Sequence, residues 1–397
     1  MNLKNAPYWD IKSLVVYLLM GLVGAGCIWW AHSRYNRSIR IYRYKVRAPY
    51  ILLFFVWEIM ATFRLVALHI GGADSLEYIK FFETRNSGEF HFYQDTTEPL
   101  FQLITKLIRF VTSDYHVYFF VLYAFMIIVY MVFFENFYVY RMSIIPQILL
   151  FFHFLRGLSS LRTNLATSFL LLSIVLYKKD KKWMALIVSG ASVFIHRSLL
   201  IYSVFIVFIY LYSKKQFPLW KMFAFIIVSA FVGRIGQYLV LSGSIPFLQG
   251  KFLWYASRSV GNSFFDNFWK IAFSQMLLGG VLFILNEWLL KDISTRDDEE
   301  TNRLKILRTA CIFDIIMIPV CYILNIWRGY EFFYVIRLMM WGECIYVIKK
   351  HVKNKSVISV VMFILFISWM IFRIYNTYED TSLMPYIFEP IYRLIYE

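Results

Sequence analysis

Apolar residues run along this chain in long blocks separated by short clusters of charge. Such blocks cover residues 12–31, 49–70, 115–134, 219–241, 269–290, 309–326, 331–348 and 356–375. Each is close to the ~20 residues that a helix needs to cross ~30 Å of hydrocarbon at ~1.5 Å per residue. The stretches 143–177 and 183–212 are too long for one comfortable helix and short for two. Their flanks resolve them. Residues 178–182 read Lys-Lys-Asp-Lys-Lys, and Lys214, Lys215 and Lys221 follow the second stretch. Basic loops stay cytoplasmic, so the chain has to leave and return between them. The pattern predicts a hairpin of short helices, or a re-entrant pair, turning near His196-Arg197. A second hairpin is expected in 143–177, turning within Arg156–Leu161. The expected fold class is therefore all-α: a polytopic membrane protein of about twelve transmembrane or re-entrant helices. It forms a single integral membrane domain over 1–397, with outer loops at 71–114 and 242–268.

Charge sets the orientation. Residues 32–47 carry Arg34, Arg37, Arg40, Arg43, Lys45 and Arg47 and no acid, and Lys349, Lys350, Lys353 and Lys355 mark a further basic loop. Both belong inside, which leaves both termini outside. The first outer loop has Asp74, Glu77, Glu83, Glu89, Asp95 and Glu98 against Lys80 and Arg85. The stretch 291–308 carries both signs and reads as a solvated cytoplasmic loop.

Composition agrees. The chain is 60% hydrophobic and 17% charged, with a mean hydropathy of +0.58. A soluble domain is roughly 45–50% apolar and about 25% charged. The net charge of +16 would suggest nucleic acid in a soluble protein, but here it sits in loops and reports topology. Aromatic residues gather at span ends, as in Trp29-Trp30, Tyr210–Tyr212 and Trp327–Tyr330, where they anchor helices in the interface. Cys27, Cys311, Cys321 and Cys344 lie in apolar runs without metal-ligand spacing and read as buried thiols. Gly24-Ala25-Gly26-Cys27 has Gly where a lipoprotein cleavage box wants Leu, so 12–31 is read as a retained span.

Ionisable groups inside spans are costly and mark function or buried pairs. The densest set is His153, Arg156, Arg162 and Asn164, around Gly157-Leu158-Ser159-Ser160. At an outer turn, both guanidinia could face one cavity and grip phosphate through parallel hydrogen bonds. The same guanidinia could instead snorkel to lipid head groups. His196-Arg197-Ser198 forms the second set, with His196 able to accept a proton or donate to phosphate. In the outer loop, Asp74 and Tyr78 open a segment that Glu98-Pro99-Leu100-Phe101 closes, with carboxylates and aromatic faces suited to sugars. Arg328 with Glu331, and Arg337, suit either substrate binding or a buried pair. Glu58, Arg64, Glu287, Asp314 and Glu343 read as intramembrane pairs or interfacial groups. Nucleotide-binding and zinc-protease signatures are lacking, as are an internal repeat and an Asp-x-Asp pair for a metal-bound sugar donor. A metal-independent site built on arginines fits these residues better.

The motifs in order resemble the EpsG family of bacterial Wzy-type polysaccharide polymerases. Gly72-Ala73-Asp74 with Tyr78 follows the second span, and Glu98-Pro99-Leu100-Phe101 comes next. Arg162-Thr163-Asn164-Leu165-Ala166 opens a span, and Phe194-Ile195-His196-Arg197-Ser198 ends a helix. Arg197 departs from the family's closer His–Ser spacing. The resemblance extends over about 50–345 and leaves room for a GT-C-like glycosyltransferase architecture. It implies a polymerase of O-antigen, capsule or exopolysaccharide in the bacterial cytoplasmic membrane, with its site facing the exterior. A glycan on polyprenyl (undecaprenyl) pyrophosphate would pass to the non-reducing end of another lipid-linked unit, with no nucleotide, metal or other cofactor. Membrane lipids, a flippase and a chain-length regulator would be its partners. Arg156, Arg162, Arg197, Arg328 and Arg337 would hold the pyrophosphate, with Tyr78 and Asn164 beside the substrate. His196, Asp74 and Glu98 are the options for the base. The competing readings are a lipid-linked oligosaccharide flippase and a membrane acyltransferase of polysaccharide. Charges crowded on the outer side argue against a flippase, which needs a polar path through the whole bilayer.

Overall fold

The computed structural model describes residues 11–33, 38–41, 44–67, 70–84, 97–142, 144–213, 217–244, 298–324, 330–351, 382–383 and 385–396, with isolated positions at 253, 257, 356, 357, 360, 361, 364 and 368. Arg328, the segment Gly88–Tyr93, the span 269–290, nearly all of the loop 242–268 and most of the span 356–375 lie outside the described residues.

Helices dominate. In chain order they are α1 (Ile11–Ala31), α2 (Ala48–Thr62), α3 (Ser75–Thr84), α4 (Pro99–Val111), α5 (Tyr115–Asn136), α6 (Ile144–Ser159), α7 (Leu161–Lys178) and α8 (Lys182–Val193). There follow α9 (Leu200–Ser203), α10 (Phe205–Tyr212), α11 (Leu219–Leu241), α12 (Asp298–Ile323), α13 (Tyr330–His351) and α14 (Glu389–Tyr396). Among the described residues the basic loop adds one antiparallel ribbon, β1 (Ser38–Ile41) with β2 (Tyr44–Arg47). Four described helices are long and apolar enough to cross a membrane: Ile11–Ala31, Tyr115–Asn136, Trp220–Leu241 and Thr301–Ile323. The outer loop 71–114 is largely helical, since it holds α3 and α4.

The chain divides into two compact units, one of Met1–Leu172 with Ile345–Glu397 and the other of Ser173–Cys344. The boundaries fall inside α7 and α13. In the first unit, α1 packs on α2 and α6, and α2, α3 and α4 pack on α5. Trp57 stacks on Phe154 at 5.1 Å and lies against Gly24, where an added Cβ would come within 3.0 Å of its indole nitrogen. In the second unit, α11 and α10 pack on α12.

Both expected hairpins correspond to real helix breaks. The stretch 143–177 divides into α6 and α7 at Ser160. In the stretch 183–212, α8 ends at Val193 and a 3₁₀ turn at Arg197–Leu199 leads back into α9 and α10, both packed on α8. At 12 residues, α8 is ~18 Å long, well short of a full crossing.

Two expectations fail. The apolar block 49–70 is helical only as far as Thr62, and Arg64 and Ala67 beyond it form isolated β-bridges. Within the supposed solvated loop 291–308, residues 301–308 belong to α12, and Thr301, Arg303, Leu304, Ile306, Leu307 and Arg308 are buried. The cause is pairing. Arg303 Nη2 lies 2.8 Å from Glu343 Oε2 of α13, and its Nη1 is bonded to Oε1 of the same carboxylate. A charge matched in this way can be carried into a packed interior.

Candidate functional site

In the first unit the site begins with a glycine pair. Gly71 and Gly72 have φ of +77° and +114°, conformations that a Cβ disfavours. A Cβ on Gly72 would also lie 2.5 Å from Ser75 Oγ and 3.0 Å from Ser159 Cα. The two glycines let the backbone lie flat against the end of α6. There the Ala73 N–H donates to Ser159 Oγ at 3.1 Å, and the Asp74 N–H donates to the Ser159 carbonyl at 3.3 Å. Ser75 Oγ donates to the Leu158 carbonyl at 3.1 Å. Asp74 thus stands at the N-terminus of α3, where peptide dipoles favour a carboxylate, and its side chain is half-buried.

The second element is Glu98. Pro99 fits the first turn of α4 because the N–H it lacks has no intrahelical acceptor there. Glu98 occupies the capping position without capping the helix. Its Oε2 instead accepts a hydrogen bond from Arg162 Nη1 at 2.7 Å, and both side chains are buried. The Arg162 guanidinium sits over the Phe101 ring at 5.9 Å. Tyr78 meets that ring edge-on at 6.0 Å, and Phe81 stacks on it at 5.8 Å.

The third element is the bend at Ser160. In a continuous helix, residues seven apart are separated by ~10.5 Å along the axis. Here a Cβ on Gly157 would lie 2.1 Å from Asn164 Nδ2, so the chain folds back sharply and glycine makes room for it. Asn164 Oδ1 accepts from the Tyr130 hydroxyl at 3.4 Å, while Asn164 Nδ2 and the buried hydroxyls of Thr163 and Thr167 meet no hydrogen-bond partner among the described residues. Arg156 and Arg162 flank the bend, the first half-buried and the second buried. Asp74, Tyr78, Glu98, Arg156, Arg162 and Asn164 therefore gather around one end of α6 and α7.

Sequence reasoning missed Arg64, which it took for an intramembrane or interfacial charge. Arg64 is 2% exposed. Its Nε donates to the Gly71 carbonyl at 2.7 Å, and its Nη1 to the Ala61 carbonyl. Its Nη2 donates to the Tyr123 hydroxyl at 2.8 Å, to Ser75 Oγ at 3.0 Å and to the Leu158 carbonyl at 3.4 Å. The guanidinium also lies 5.3 Å from the Phe119 ring centre and 5.2 Å from that of Tyr123. An arginine just upstream of a Gly-Gly-Ala-Asp turn was the available signal.

In the second unit, His196 Nδ1 lies 3.1 Å from Ser198 Oγ, so the intervening Arg197 does not part the two side chains. His196 is buried and Arg197 half-buried. Arg337 is held by Asp314 of α12, with Nη2 to Oδ1 at 2.7 Å and Nε bonded to Oδ2. It thus has the buried-pair geometry that was one of its two sequence readings. Cys27, Cys311 and Cys321 are buried and form no disulfide among the described residues.

Fold and site together define a helical membrane protein whose candidate site in the first unit gathers at a helix break. The chain belongs to the EpsG family, whose model matches residues 47–388 and which comprises exopolysaccharide polymerase-like proteins. No curated protein and no solved structure shows significant similarity to it.

Proposed function

We propose that this chain polymerises a surface polysaccharide in the bacterial cytoplasmic membrane. It moves a glycan from one polyprenyl pyrophosphate to the non-reducing end of another lipid-linked unit on the outer face. The observation that carries the reading is the convergence of the Asp74 turn, the Glu98–Arg162 pair and the Arg156–Arg162 bend on one end of the first unit. Three separate stretches of the family's match supply these residues.

The chemistry follows from charge. A departing pyrophosphate gains negative charge in the transition state, and fixed guanidinia in a partly dry site stabilise it most where water is scarce. Arg156 and Arg162 take that role. Glu98 holds Arg162 in place and is the anion that an arriving pyrophosphate competes with. Asp74, half-buried on a backbone fixed at both sides, accepts the proton of the acceptor hydroxyl as the glycosyl–oxygen bond forms. His196, with Ser198 on its ring nitrogen, is the alternative proton acceptor. The polyprenyl tail stays in the lipid.

The test uses purified full-length protein in nanodiscs with the lipid-linked glycan extracted from producing cells that lack this chain. A ladder of products that grows without nucleotide, and is lost in both Arg162→Ala and Asp74→Asn, is the expected result. Transport of that lipid across a liposome bilayer with no ladder would replace the polymerase with a flippase.

A further inference from the structure

We infer that Arg64 is a positioning residue, which fixes where the Asp74 carboxylate points. The inference rests on the reading of Asp74 as the proton acceptor. It begins from an oddity: a charged side chain 2% exposed whose described partners are carbonyls, hydroxyls and rings rather than a carboxylate. A buried charge with no counter-ion is costly to keep. The residues it joins explain its place. They are the end of α2 at Ala61, the turn at Gly71, the first residue of α3 at Ser75, the middle of α5 at Tyr123 and the end of α6 at Leu158.

Those contacts bracket Asp74. Gly71 lies three residues before it and Ser75 directly after it, and Arg64 bonds both. The α6 end that receives the Ala73 and Asp74 N–H groups is the one whose Leu158 carbonyl also accepts from Arg64 and Ser75. A planar fork with donors on three nitrogens can hold these directions together, which a lysine ammonium cannot do. Arg64 touches neither Glu98 nor Arg162 in the described contacts, so its influence passes through the turn. The rings of Phe119 and Tyr123 keep water from the guanidinium.

The experiment is a double-mutant cycle between Arg64→Lys and Asp74→Asn, measured with the extracted lipid-linked glycan as substrate. Hydrogen exchange of a peptide spanning 71–75 runs alongside. Asp74→Asn should lower turnover by about 100-fold or more, the loss expected for a base. Arg64→Lys should lower kcat by about 10-fold with KM little changed, and should cost almost nothing further in the Asp74→Asn background. Exchange at 71–75 should rise in Arg64→Lys and stay at the wild-type level in Asp74→Asn. Tyr123→Phe, which removes one bond at 2.8 Å, gives a milder variant with the same direction of effect if the lysine variant does not fold. Full activity in Arg64→Lys and Tyr123→Phe, or losses that multiply with that of Asp74→Asn, would overturn the inference. Faster exchange in Arg64→Lys with a fully active Asp74→Asn would leave the clamp standing and remove the role given to Asp74.

Discussion

Glu98 and Arg162 are 64 positions apart in sequence and 2.7 Å apart in the fold. Each was singled out from the sequence, one as a base and one as a phosphate ligand, and nothing in the sequence joined them. Pairing across that distance is a tertiary event without local periodicity. The pair gives the two residues different mutational signatures. Arg162→Ala removes transition-state stabilisation and should cost about 10²–10³ in kcat. Glu98→Gln keeps the guanidinium but loosens it, and should cost about 10-fold in a ladder-rate assay. Equal losses in the two variants would assign Glu98 to proton transfer instead. Gly157→Ala is a purely steric probe of the same bend. Its methyl would overlap Asn164, and the overpacking should cost about 1–3 kcal/mol in detergent-melt experiments.

Helices and their breaks were largely legible in the sequence because apolar length and loop charge dictate them. Ser160 and the 194–199 interruption fall inside the windows that basic loops alone required. What escaped was the inner part of α12. A run with both signs of charge looks solvated when its partners lie elsewhere, and Glu343 is 40 residues away from Arg303. With Asp314 and Arg337, α12 and α13 carry two buried two-pronged pairs of opposite polarity. The order of the partners, 303 with 343 and 314 with 337, requires the helices to run antiparallel. Breaking one pair leaves a buried charge exposed to its low-dielectric surroundings. Arg303→Met alone should therefore destabilise by about 3–5 kcal/mol, while Arg303→Met with Glu343→Met should recover most of the loss. Melting temperatures of the three proteins in one detergent would show it, and an unrecovered double variant would mean that the pair does more than neutralise itself.

The first unit has two chemically distinct ends. At one, Arg47 bonds the Ala31 carbonyl and Glu135, and His32 stacks on Tyr140 at 3.7 Å, beside the basic ribbon. At the other lie the Asp74 turn, Glu98, Arg162 and the chain segment 382–396. That segment is threaded along the end of α2 by hydrogen bonds. Leu65 N–H donates to the Ile387 carbonyl at 2.8 Å, Glu389 N–H to that of Phe63 at 2.9 Å, and Gly72 N–H to that of Ser382 at 3.0 Å. Tyr386 N–H donates to Ser13 Oγ at 2.7 Å. Glu389 anchors it further by accepting from Tyr115 at 2.9 Å, and it lies 3.0 Å from His116 Nε2. Burial pushes the Glu389 carboxyl up, but the bonds from His116, Arg393 and Tyr115 prevail and hold it down to about 2, against an ordinary 4.5. A depressed carboxyl stabilises the fold above its unfolded value and loses that effect as pH falls through the folded one. The melting advantage of the wild type over Glu389→Gln should hold at pH 7 and fade between pH 4.5 and about 2. An advantage that persists at pH 2 would show that the anchor does not depend on the charge.

The bond between Gly72 and Ser382 also does arithmetic. Where two atoms 3.0 Å apart lie outside the hydrocarbon, the chain between them crosses a bilayer an even number of times. Any count of crossings between residues 72 and 382 has to respect that evenness, and a helix that turns back before it crosses does not enter the sum.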